Sequence, residues 1–143
     1  MKKQAATHKA AGNNAFAAAR YYAATAEFTK AIECDPYDHI FYSNRSACYA
    51  NLDQYSKACA DARRCIELRP DFAKGYSRLG FALFKAGFLH DAMSAYERGL
   101  TVDPKNNNLI EGLGEAKLAQ KQKIEAAKLA AEMDHVSLDE HVI

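Results

Sequence analysis

The chain predicts an all-α fold, three stacked helical hairpins closed by a capping helix, and three observations carry that expectation. Pro36, Pro70 and Pro104 stand 34 residues apart, a fixed period that marks hairpins too small to bury their own apolar faces alone. Ala24, Ala58 and Ala92 recur at one offset, where two helices must approach closely. Phe28 and Tyr96 align four residues further on, with Ala62 as the smaller occupant in the middle unit. Glycine and proline are scarce inside the periodic segments, so nothing there interrupts a helix.

The repeats cover residues 5–38, 39–72 and 73–106, and helices are expected over 3–18, 21–34, 38–52, 55–69, 72–86, 89–102 and 107–133. Each proline closes its unit after Cys-Asp, Leu-Arg or Val-Asp, because proline cannot continue the preceding helix. Connections are short, which makes consecutive helices antiparallel. Asp38 and Asp71 precede helical runs and read as N-caps.

The seventh helix departs from the repeat and reads as a cap. Leu109, Leu113, Ala116, Leu118 and Ala119 offer an apolar face to the third hairpin, while Lys117, Lys121, Gln122 and Glu125 face water. Gly112 and Gly114 are expected to loosen its first turns. The single domain then spans 5–133, and residues 134–143 read as a charged tail.

Bulk properties narrow the function. A length of 143 residues suits one domain with a real core, and the formal net charge of +1 gives no field that points to nucleic acid or a membrane surface. The start of the chain lacks the compact apolar segment of a secretory signal, and no run approaches a membrane span, so a cytoplasmic location is expected. Cys34, Cys48, Cys59 and Cys65 form no C-x-x-C pair and no metal spacing, and read as free thiols in a reducing compartment. The five histidines show no ligand pairing, no glycine-rich phosphate loop occurs, and no nucleophile–base pair is defined. No cofactor, no metal and no catalytic role are therefore expected. The aromatic residues fall at repeat-packing offsets and serve the core rather than a stacking platform.

The 34-residue pattern over Ala5–Asn106 resembles the tetratricopeptide repeat. That resemblance implies a right-handed superhelix whose concave face is lined by the first helix of each hairpin. A sharper likeness lies in Lys9-Ala-Ala-Gly-Asn13, Tyr42-Ser-Asn-Arg-Ser46 and Lys74-Gly-Tyr-Ser-Arg78. These segments are similar to the carboxylate clamp of co-chaperones that hold the C-terminal Glu-Glu-Val-Asp of the seventy- and ninety-kilodalton heat-shock proteins. The stretch Asp35–Ala50 most resembles the first repeat domain of the stress-inducible organising family (Hop/Sti).

The resemblance implies that Lys9, Asn13 and Asn44 hold the terminal carboxylate, that Lys74 reaches the last aspartate side chain, and that Arg78 meets an upstream acid or the peptide backbone. The residues make chemical sense by themselves. Lys9 and Asn13 are four apart and share a helix face, as do Lys74 and Arg78. Three cations and two amides offer the donors that a carboxylate pair requires. Phe16, Ala47 and Ala50 lie on the same faces and form an apolar seat for the valine. Asn51 and Phe84 stand where a seventy-kilodalton-selective domain would carry a basic and an acidic contact, which leaves the choice of chaperone open. Two other readings are a scaffold whose acidic end, Asp139–Ile143, occupies a neighbour's groove, and a repeat domain appended to an enzyme. Self-association through the tail or the end of the cap belongs to the first of these.

Overall fold

The computed structural model describes residues 2–141, with side-chain surroundings through His135. Seven helices follow in order: α1 (Lys2–Ala17), α2 (Tyr21–Cys34), α3 (His39–Asn51), α4 (Tyr55–Leu68), α5 (Ala73–Lys85), α6 (Leu89–Val102) and α7 (Asn107–His141). The pairs α1/α2, α3/α4 and α5/α6 pack as hairpins, and each second helix leans on the next hairpin. First helices also meet one another, α1 with α3, α3 with α5 and α5 with α7, while the backbones of second helices stay further apart among the described residues. The result is a helical-repeat superhelix with one face built from α1, α3, α5 and α7.

Size complementarity sets the approach inside each hairpin. Ala24, Ala58 and Ala92 are wholly buried, which lets backbones close on one another. In the first hairpin Phe28 lies against Gly12, where an added Cβ would stand 2.7 Å from the ring. Tyr96 meets Gly80 in the third, where the same atom would stand 2.6 Å away. The middle hairpin carries Ser46 and Ala62 at these offsets, and the Ser46 hydroxyl donates to the Ala58 carbonyl at 2.7 Å. A large second-helix residue thus faces glycine, and a small one faces serine.

The prolines do more than stop helices. Asp35, Arg69 and Asp103, one before each proline, share φ near −140° and ψ between 84° and 88°, the extended state that a following proline favours. The Pro36 carbonyl accepts from the Tyr42 hydroxyl at 2.8 Å, and the Pro70 carbonyl from Tyr76 at 2.7 Å. Within the hairpins, the turns place Ala19, Asp53 and Gly87 at one offset and at positive φ of 58°, 58° and 90°.

Some expectations need correction. Asp38 does cap α3, accepting from the Ile40 amide at 2.9 Å. Asp71 does not cap α5; the cap position is Phe72, one repeat after Asp38, and Asp71 pairs instead with Arg69 at 3.2 Å. Asn106 holds the same position in the next repeat, and its side chain accepts from the Leu109 amide at 3.1 Å. Gly112 does not loosen α7: a Cβ there would lie 2.5 Å from the Tyr96 ring, so it is the close-approach point of the cap. Leu109 and Ala116 are buried as expected, but Leu118 is exposed. The helix also continues beyond residue 133 to His141, because the segment expected to be a tail contains no proline or glycine to end it. Val142 and Ile143 lie outside the described residues.

Two glycines separate packing from backbone conformation. Gly80→Ala should lower stability by about 1–3 kcal/mol through overpacking against Tyr96. Gly87→Ala, with no atom near its Cβ, should cost about 1 kcal/mol through its positive φ alone. Urea unfolding of both variants measures the difference; equal and negligible losses would contradict this account.

Candidate functional site

Asn13 on α1, Asn44 on α3 and Arg78 on α5 come together around one small cavity of about 100 Å³, with Phe16, Phe28 and Ala47. They are far apart in sequence and meet because first helices stack side by side. Asn44 Nδ2 donates to Asn13 Oδ1 at 3.3 Å. With that oxygen accepting one bond, both N–H donors of the Asn13 amide remain for a ligand.

Lys9 and Lys74 do not line this cavity. Each stands one helical turn before a residue that does, Lys9 before Asn13 and Lys74 before Arg78. Lys9 is half-buried and Lys74 exposed. Phe16 and Ala47 line both this cavity and a larger one of about 360 Å³, and Ala50 lines the larger. Asn51 also borders the larger cavity, with its amide donating to the Ala47 carbonyl at 2.8 Å. Phe84 packs against the core.

The electrostatics distinguish two arginines that are close in the fold. Arg45 is matched: its Nε donates to Asp61 Oδ2 at 2.7 Å, Nη2 to Oδ1 at 2.8 Å, and Nη1 to Thr29 Oγ1 at 3.1 Å. Arg78 has no such acid. Its Nε is buried without a hydrogen-bond partner, and none of Lys9, Lys74 and Arg78 joins an ion pair among the described residues. Burial pulls the Arg78 pKa below the ordinary guanidinium value. The charge-bearing neighbours that act on it are the thiols of Cys48 and Cys65, and burial pushes both up to about 11. At neutral pH those thiols are uncharged, so they leave the guanidinium uncompensated. An anion is what this side chain lacks.

The larger cavity contains residues that the motif reading missed: Ser77 and Phe81 on α5, and Asn108, Glu111 and Glu115 on α7. The signal was present in the repeat. Adding 34 to Lys74, Ser77 and Phe81 leads to Asn108, Glu111 and Glu115, so α7 supplies the first helix of an incomplete fourth unit.

The sequence family described as tetratricopeptide repeat matches residues 27–60. The first repeat domain of Spaghetti (RPAP3), solved with the HSP90 peptide SRMEEVD, superposes with a TM-score of 0.80 at 30% identity, covering 85% of this chain and 96% of that one. The chain belongs to the tetratricopeptide-repeat family. This repeat domain is also 50% identical over 111 residues to the Hsp70-Hsp90 organizing protein of Triticum aestivum, covering 78% of the chain and 19% of that protein. Against the heat shock protein sti1 homolog of Schizosaccharomyces pombe it is 50% identical over 119 residues, covering 83% and 20% respectively. The domain thus spans about a fifth of the length of these two curated relatives. No helix among the described residues is long and apolar enough to cross a membrane.

The two arginines should respond oppositely to removal. Arg45→Ala strands the buried Asp61 carboxylate and should cost about 3 kcal/mol or more. Arg78→Met removes an uncompensated, desolvated charge and should leave the melting temperature unchanged or higher. Thermal unfolding by circular dichroism measures both; marked destabilisation by Arg78→Met would show that the guanidinium has a structural partner.

Proposed function

We propose that this domain is the peptide-capturing module of a co-chaperone, holding the acidic C-terminus of a seventy- or ninety-kilodalton heat-shock chaperone by its free carboxylate. The observation that carries the reading is the half-buried Arg78, whose buried Nε has no hydrogen-bond partner and which lines one cavity with Asn13 and Asn44, while Arg45 has its own carboxylate. The relatives that are organising co-chaperones, and the neighbouring fold solved with SRMEEVD, support the same reading.

In this mechanism Lys9, Asn13 and Asn44 receive the terminal carboxylate, the asparagines exchanging their mutual hydrogen bond for bonds to the ligand. Lys74 reaches the side chain of the last aspartate. Arg78 meets an upstream glutamate or a peptide carbonyl, and with its Nε already buried, part of its dehydration cost is met before binding. The valine rests on Phe16, Ala47 and Ala50. Charge-assisted bonds contribute roughly 1.5–3 kcal/mol each before the cost of ordering the peptide, and the net is a micromolar affinity of about −8 kcal/mol. The module acts in the cytoplasm as a binding element within a longer co-chaperone, without catalysis of its own.

Fluorescence polarisation with a labelled peptide ending in Glu-Glu-Val-Asp tests the mechanism. The free acid should bind in the micromolar range and its C-terminal amide at least tenfold more weakly. Lys9→Ala and Lys74→Ala should each reduce affinity at least tenfold with the fold intact. Equal affinity for acid and amide would overturn the clamp.

A further inference from the structure

The groove has a second end of opposite charge. Glu111 and Glu115 lie one turn apart on α7 and line the same 360 Å³ cavity as Arg78. Both are exposed, and neither joins an ion pair among the described residues. The same cavity also has apolar lining, with Ala50 buried and Phe81 44% exposed. Arg78 borders both cavities and so marks the passage from the Asn13–Asn44 end to the α7 end.

We propose that Glu111 and Glu115 are specificity residues that select a peptide carrying a cationic side chain just upstream of its acidic C-terminal segment. The proposal rests on the clamp reading, because the clamp sets the direction of the peptide. With the terminal carboxylate at Asn13 and Asn44 and an upstream acid at Arg78, the chain continues toward α7. An extended peptide advances roughly 3.3 Å per residue, so the residues immediately before the acidic segment are carried over the two carboxylates. Carboxylates accept and never donate, so they attract lysine or arginine there and repel glutamate or aspartate. The groove is therefore charge-complementary to a ligand that is basic first and acidic last. Charge sign over α7 discriminates between ligands whose final four residues are identical.

The test uses matched peptides with free C-termini. One pair is Ser-Arg-Met-Glu-Glu-Val-Asp and Ser-Glu-Met-Glu-Glu-Val-Asp; the second moves the variable charge one residue further upstream, as Arg-Ser-Met and Glu-Ser-Met before the same four residues. In at least one pair the arginine peptide should bind about fivefold more tightly in low salt, the upper range of an exposed ion pair. That ratio should fall toward one at high ionic strength. The Glu111→Gln, Glu115→Gln double variant should also bring the ratio toward one, while keeping the preference for acid over amide. Equal affinities within both pairs, with the acid–amide difference intact, would overturn the selectivity and leave the clamp standing. A preference that persists in the double variant would overturn the assignment to these two residues. Failure of all the peptides to bind would overturn both readings together.

Discussion

The approach of two helices inside each hairpin is the constraint on which the rest depends, and it is met by matching sizes across the contact. Wholly buried Ala24, Ala58 and Ala92 let the backbones close, and Phe28 and Tyr96 then fill the remaining space over Gly12 and Gly80. Tyr96 also reaches Gly112, so one ring fixes both the third hairpin and the docking of α7. The spacing of the first helices follows from this packing. So does the convergence of Asn13, Asn44 and Arg78, which no local interaction would bring together. A change in hairpin geometry of a fraction of an ångström would spread the groove, because packed interiors yield little.

Charge is distributed on the same scaffold by a simple division. Where an arginine serves the fold, as Arg45 does, it is given a bidentate carboxylate and the flanking faces of Tyr42 and Tyr49. Where an arginine serves a ligand, as proposed for Arg78, it forms no ion pair among the described residues, and the thiols beside it are neutral. Leaving a desolvated cation unmatched costs stability, and such a cost is expected at a binding site rather than in a core.

Much of the architecture was legible because a 34-residue period ties distant positions to one another. Helix order and the close-approach alanines follow from that period and from helix-breaking residues. The meeting of Asn13, Asn44 and Arg78 was legible for the same reason, while Lys9 and Lys74 stay outside the cavity those three line. The errors have physical sources. Asp71 is a good capping residue one position before the cap, and local propensity outweighed the repeat register. Gly112 was read by its helix propensity, although its role depends on a ring from α6. Asn107 was recognised as the start of α7, but the helix continues to His141 because nothing in the charged end stops it. The acidic end of the groove was missed because the period was not carried one unit further, from Ser77 to Glu111 and from Phe81 to Glu115.

The central claim is that Arg78 and the Asn13–Asn44 pair form one receptor for a C-terminal carboxylate. The side-chain N–H resonances of these three residues, followed by ¹H–¹⁵N nuclear magnetic resonance during titration with a peptide ending in Glu-Glu-Val-Asp, test it most directly. The account predicts that Arg78 Nε–H and both Nδ2 groups shift along one saturating isotherm. With the C-terminal amide, the asparagine signals should stay in place. A peptide that binds tightly while all three signals remain unmoved would contradict it.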